Sequence, residues 1–151
     1  MSSSSLPMGS QVDREALERA LTVVAEESFF AMVDPVPDTL PPVEEMLSAC
    51  VDFTGSFAGT LCCSMPRALA HELTTAFSGA MPDDVAADGP EVKDLAGEFA
   101  NMVCGRWLTD VAPRSLFTLA HPMVDSVAMP RTAPMGLLNG QPIWIDVAFE
   151  R

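Results

Sequence analysis

One long segment, residues 91–110, places the strongest constraint on what this chain can fold into. From Leu95 to Gly105, every residue except Glu98 and Asn101 is apolar or small. A helix turns by about 100° per residue, so the apolar side chains fall on a broad arc and the polar ones on a narrow strip. The pattern predicts a helix that is buried on most of its surface and stops before the proline at position 113.

The polar strip of this helix covers about 80° of its surface. Asn101 is its unusual member, because asparagine is a weak helix former and the chain contains only one other, Asn139. Gly105 lies about one turn further on and leaves the backbone bare for another surface to approach. The strip is typical of a contact face, although any helix with one exposed side needs polar residues there. Its members are Glu91, Asp94, Glu98, Asn101 and Gly105.

Two further helices are predicted from apolar residues at helical spacing. Residues 12–33 form an amphipathic helix, and residues 66–79 form a second one that ends at Gly79. The apolar stripe of the first helix consists of Leu17, Leu21, Val24, Phe29 and Met32. The buried face of the second consists of Leu69, Leu73, Ala76 and Phe77.

Strand-like alternation fills much of the remainder. A β-hairpin is predicted over residues 48–65 with its turn at Gly55 and Ser56. Later strands are predicted at residues 115–119, 124–129 and 143–149, the last after a turn at Asn139 and Gly140. We therefore expect an α/β fold of the α+β type, in which two or three helices cover a mixed, mainly antiparallel sheet. Residues 10–151 form one domain, and residues 1–9 (MSSSSLPMG) form a disordered tail.

Composition excludes several classes of partner. The formal net charge of -13 is repelled by nucleic acid and by anionic membranes, and the eight Lys and Arg residues form no cluster. No secretory signal and no apolar run of about 18 residues is present, which favours the cytoplasm. The cysteines lack CxxC spacing, so we expect free thiols in a reducing compartment; they are Cys50, Cys62, Cys63 and Cys104.

Other kinds of site have weaker support. Cys62 and Cys63 are adjacent on a predicted strand and point to opposite faces, so they do not form a zinc site with His71 and His121. Cys104 lies on the apolar arc of its helix, where a thiolate is poorly solvated. The sequence contains no GxSxG elbow for Ser-His-Asp chemistry and no glycine-rich loop for a nucleotide phosphate. We expect no metal or cofactor in this chain.

The polar strip also carries a family resemblance. The pattern D-x3-E-x2-N-x3-G, at Asp94, Glu98, Asn101 and Gly105, resembles the signature helix of the CheC/CheX/FliY family of chemotaxis phosphatases. The order of elements over about residues 12–149 is similar as well, from the first helix ending FFAMV to the HPMV stretch. With a single ExxN pattern, the chain resembles the one-site CheX type.

The resemblance implies a phosphatase that removes the aspartyl phosphate from a phosphorylated CheY-type response regulator. By position, Asn101 orients the attacking water and Glu98 pairs with a lysine of the regulator, while Asp94 and Gly105 belong to the docking surface. Mg²⁺ belongs to the regulator, and the relatives imply a homodimer that pairs through residues 143–149. The alternative is a noncatalytic module that binds a regulator or a flagellar switch component.

Overall fold

Three helices pack on one face of an antiparallel sheet in the computed structural model, which describes residues 14–41, 43 and 45–150. The helices are α1 (Arg14–Phe29), α2 (Arg67–Ser78) and α3 (Pro90–Val111). The seven strands of the described residues are β1 (Val33–Asp34), β2 (Met46–Thr54), β3 (Gly59–Pro66), β4 (Thr118–Leu119), β5 (Met123–Val127), β6 (Gly136–Leu138) and β7 (Gln141–Phe149). The expected fold class is confirmed, and every strand pairing among the described residues is antiparallel.

The strand order is β1-β6-β7-β3-β2, and both β4 and β5 pair with the far side of β2. β4 pairs with the end of β2, at Phe53 and Thr54, whereas β5 pairs with its first half, from Met46 to Cys50. The connection between β4 and β5 is tied to β2 where the amide of Ala120 donates to the carbonyl of Asp52 at 2.9 Å. This connection forms part of the candidate site.

Alternation along the strands separates the two faces of the sheet. Along β2 the side chains that face the helices are fully buried, and they are Leu47, Ala49, Val51 and Phe53. α3 packs on β2 and contacts both other helices, and Phe99, Val103 and Trp107 are fully buried in the same cluster. The ring of Phe99 lies 5.2 Å from that of Phe29 in α1, and Trp107 lies 5.7 Å from Phe53 in β2. Phe99 and Trp107 are therefore core residues.

The predicted turns follow their local chemistry. Asn139 and Gly140 both adopt positive φ, at 51° and 81°, as a tight hairpin turn between β6 and β7 requires. Gly79 ends α2 in the left-handed region with φ of 75°. The hairpin of β2 and β3 is confirmed, with Phe53 opposite Gly59 next to the turn.

Two apolar stripes were predicted too far along their helices. α1 ends at Phe29 because Phe30 takes a positive φ of 54°, so Met32 leaves the helix axis and is 67% exposed. In α2, Ala76 and Phe77 lie in the last turn and both are exposed, although the Phe77 ring lies 5.2 Å from that of Phe29 in α1. The start of the first predicted helix, at residues 12 and 13, lies outside the described residues, as do residues 1–9.

The expectation of four free thiols was wrong for one pair. Cys50 and Cys62 are direct partners in the register of β2 and β3 and form a disulfide. They lie on the sheet face away from the helices, whereas Cys63 points into the core, as the alternation predicted. Cys63 and Cys104 are free and buried.

The short strands were also mispredicted. Of residues 115–119 only Thr118 and Leu119 are extended, and the two-residue β1 and three-residue β6 were not predicted at all.

None of the helices in the described ranges is long and apolar enough to cross a bilayer.

Candidate functional site

The candidate site is built on α3, whose sequence fixes how its side chains are presented. Pro90 occupies the first turn after Gly89, and the helix continues to Val111, two residues before Pro113. The predicted apolar arc is buried, apart from Met102, which is half-buried. The buried members are Leu95, Ala96, Phe99, Ala100, Val103 and Cys104.

The structure brings three of the four predicted site residues into one groove. Asp94 and Glu98 are exposed, and Asn101 is half-buried beside them. Gly105 is half-buried as well but lines a neighbouring groove one turn further along α3. The polar strip is therefore divided between two adjacent hollows.

The first hollow, which we call the motif groove, has a volume of about 630 Å³. One wall is formed by α3, and the other by the end of β4, the connection to β5 and the start of β5. The α3 wall consists of Lys93, Asp94, Gly97, Glu98 and Asn101. The opposite wall consists of Leu119, Ala120, His121, Pro122 and Val124.

Gly97 explains how the two walls come so close. A Cβ added at this position lies 3.1 Å from Cβ of Pro122 and 3.4 Å from Cγ2 of Val124. A glycine in the middle of a helix costs stability relative to alanine, by roughly 1 kcal/mol. Here it lets the β4–β5 connection lie directly against α3.

This close packing also explains why Asn101 is less exposed than a strip residue on an open helix. The residue lines the motif groove, yet its Oδ1 atom is buried and has no hydrogen-bond partner among the described residues. A buried carbonyl oxygen without a donor costs about 1–3 kcal/mol. Such unsatisfied groups are rare in native proteins, and a catalytic role is one of their explanations.

Two charged or titratable side chains of the groove were not predicted as site residues. Lys93 precedes Asp94 on α3, and His121 lies on the opposite wall. The sequence offered one hint for His121, because it precedes Pro122 in the HPMV stretch that follows β4. No local pattern links it to Asn101, since tertiary packing alone joins them.

The free thiols are unsuited to nucleophilic chemistry. Burial raises the pKa of the Cys104 thiol to about 12, and burial together with the charge of Asp146 raises that of Cys63. Within the described ranges, no three His, Cys, Asp or Glu side chains are grouped so that they could hold a metal ion. The chemistry that the groove can offer is therefore that of an amide, two carboxylates, an imidazole and an ammonium group.

Residues 47–130, which run from the second residue of β2 to beyond the end of β5, match the family model described as chemotaxis phosphatase CheX. The chain belongs to this family. The matched range contains the whole motif groove, and the resemblance predicted from the strip is confirmed at the level of the family.

Solved structures of low sequence identity share the CheX fold. Chemotaxis protein CheX from Vibrio vulnificus superposes with a TM-score of 0.69 at 20% identity, over 93% of this chain and 100% of that one. A CheX from Desulfovibrio desulfuricans superposes with a TM-score of 0.67 at 20% identity, over 90% of this chain and 97% of that one. CheX of Borrelia burgdorferi, solved as a CheX-CheY-BeF3-Mg²⁺ complex, superposes with a TM-score of 0.64 at 16% identity, over 93% of this chain and 100% of that one. No curated protein sequence matches the chain.

Proposed function

We propose that this CheX-family protein hydrolyses the aspartyl phosphate of a CheY-type response regulator in a chemotaxis or related two-component pathway. One observation carries the proposal: Glu98 and Asn101 share a groove in which the Asn101 carbonyl oxygen lacks a hydrogen-bond partner among the described residues. The family supports the reaction type, and the Borrelia CheX solved in complex with CheY supports the class of partner.

Asn101 orients the attacking water in this proposal. An acyl phosphate is already activated, so a phosphatase need only place water in line with phosphorus and stabilise the developing charge. An amide can accept from water and donate to it without changing its protonation. Oδ1 of Asn101 is buried and has no partner among the described residues, so the side chain must turn toward the groove to meet the water, and this turn breaks no hydrogen bond of that atom.

Glu98 serves as the docking contact. It is exposed, so its carboxylate remains free to pair with a lysine of the regulator as the two proteins meet. It lies three positions before Asn101, which places both on one side of the helix. The negative charge thus lies close enough to guide docking while the neutral amide faces the phosphoryl group.

The rest of the machinery comes from the partner. The phosphorylated aspartate and its Mg²⁺ belong to the regulator, and this chain supplies no nucleophile. Asp94 adds negative charge beside Glu98 in the motif groove and attracts a basic rim on the regulator. Because receiver domains of this type work in the cytoplasm, we expect the protein there.

The proposal is tested with the CheY-type receivers of the same genome, each phosphorylated by acetyl phosphate with Mg²⁺. Wild type is expected to accelerate phosphate release from one receiver. Asn101→Ala is expected to abolish the acceleration and keep binding, whereas Glu98→Gln weakens binding. Circular dichroism confirms that each variant is folded.

The same experiment separates the alternatives. Saturable binding by wild type without faster phosphate release supports the noncatalytic module. Equal rates for wild type and Asn101→Ala rule out the role given to Asn101. Wild type that neither binds nor accelerates any phosphorylated receiver rules out both functions.

We also propose a homodimer that forms through β7. Within the described residues, 144–149 of this strand pair only with β3, because the short β6 pairs with positions 141–143. An unpaired strand edge is a template for pairing with a second copy. Light scattering after size exclusion is expected to give twice the 16.1 kDa of the chain, and a monomeric mass at micromolar concentration contradicts the proposal.

A further inference from the structure

A leucine next to the motif groove is exposed to an unusual degree. Leu116 is 92% exposed, more than any other large apolar side chain in the described part of the molecule. It lies between the end of α3 and the start of β4. Single exposed apolar side chains are common on protein surfaces, so exposure alone assigns no role.

The backbone that carries Leu116 is held on both sides. A Cβ added at Gly55 would lie 2.6 Å from the carbonyl oxygen of Leu116, so only glycine allows the β2–β3 turn to approach so closely. Before it, Ser115 accepts a hydrogen bond from the Ser56 hydroxyl at 3.0 Å. After it, the Phe117 ring packs 5.0 Å from that of Phe57. Leu116 is therefore an apolar tip on a fixed support, and ordering it in an interface costs little backbone entropy.

Leu116 also forms the rim of a second hollow, which we call the Gly105 groove. Its volume is about 230 Å³, and a Cβ added at Gly105 meets nothing within 4 Å. The two grooves share a wall, because Leu119 lines both of them. Its lining includes Gly105, Ser115, Leu116, Phe117 and Leu119.

We propose that the Gly105 groove and Leu116 form an apolar anchor for the same response regulator, next to the contacts made by Glu98 and Asn101. This inference rests on the proposed function. An apolar side chain of the regulator, adjacent to its phosphorylation pocket, packs against Leu116 and over the bare backbone of Gly105.

Distance and area favour the regulator as the occupant. Gly105 is four residues from Asn101, which is about 6 Å along the helix axis. A specific interface covers about 800 Å² on each partner. A receiver whose phosphoryl group lies over Asn101 therefore extends beyond the motif groove and covers the hollow beside it. Apolar anchors near the centre of an interface contribute most of its affinity.

Steady-state dephosphorylation of the phosphorylated receiver that responds to wild type tests the anchor. Leu116→Ala is expected to raise KM about tenfold and leave kcat within about twofold, since the anchor binds ground state and transition state alike. Gly105→Leu fills the groove and is expected to raise KM by at least as much. Met81→Ala is the matched control, because Met81 is 67% exposed and lines neither groove. It is expected to keep the KM of wild type.

The outcomes distinguish the anchor from the proposed function. Wild-type KM in both Leu116→Ala and Gly105→Leu, with wild type active, overturns the anchor and leaves the function standing. If wild type binds the receiver but releases no phosphate, Kd replaces KM, and a tenfold weaker Kd in Leu116→Ala supports the anchor although the catalytic proposal fails. Wild type that binds no receiver overturns both. A decrease in kcat alone also overturns the anchor, because it indicates a disturbed site.

Discussion

The buried and exposed faces of α3 differ in what their residues contribute. On the buried face, Phe99, Val103 and Trp107 fill the space between the sheet and the other helices, and none is accessible to solvent. On the opposite side, Glu98 and Asn101 line a groove and add little to the core. Stability therefore depends on one face and the proposed function on the other. Successive residues of either face are only three or four positions apart in the sequence, so the two faces share the same segment of chain.

The largest effect on stability is expected on the buried face. Phe99→Ala removes a ring that packs against Phe29 at 5.2 Å and leaves a cavity in the centre of the core. We expect the free energy of unfolding to fall by about 3–5 kcal/mol. Urea denaturation followed by circular dichroism measures it, and the exposed Lys93→Ala on the same helix is expected to change it by less than about 0.5 kcal/mol. A loss below about 1 kcal/mol for Phe99→Ala would contradict the assignment of stability to the buried face of α3.

The disulfide provides a second test at a site distant in sequence from α3. Cys50 and Cys62 are 12 residues apart, so replacing both by serine is expected to cost about 3 kcal/mol of unfolding free energy. Activity at a temperature well below unfolding is expected to stay at the wild-type level. Thiol titration of the oxidised, denatured protein is expected to find two free groups, Cys63 and Cys104, and four after reduction. Four free thiols before reduction contradict the pairing.

The smallest expected effect is the difference in stability between the same substitution at the two glycines of α3, Gly97 and Gly105. Gly97→Leu forces Pro122 away from the helix and is expected to cost about 1–3 kcal/mol through overpacking. The identical change at Gly105 meets open space and replaces a poor helix former, so we expect it to gain roughly 0.5–1 kcal/mol. Thermal unfolding compares the two variants directly. A loss of stability in both variants shows that the helix itself requires glycine at these positions, and that contact with Pro122 is not the reason for Gly97.

The sequence predicted those features that depend on local spacing. The apolar arc of α3, the β2–β3 hairpin and the turn at Asn139 and Gly140 each follow from residues close together in the chain. Strands of two or three residues, such as β1 and β6, have no alternation to detect. The disulfide escaped prediction because it depends on the register of two strands, which puts Cys50 opposite Cys62.

The candidate site was predicted only on its helical side. Glu98 and Asn101 are visible in the sequence because their polar character interrupts an apolar helix. The opposite wall, with His121 and Pro122, is contributed by a connection about twenty residues later, and its position is set by packing against Gly97. The burial of the Asn101 carbonyl oxygen follows from that packing, so it too lies beyond what helical spacing can show.

The central claim, that the Asn101 amide orients the attacking water, is tested most directly by the decay of the receiver's aspartyl phosphate at saturating protein. Asn101→Asp keeps the shape of the side chain but places a negative charge next to the phosphoryl group. The account predicts that Asn101→Ala and Asn101→Asp still bind the receiver, yet decay slows by at least about 100-fold in both. Decay at the wild-type rate in either variant would contradict it.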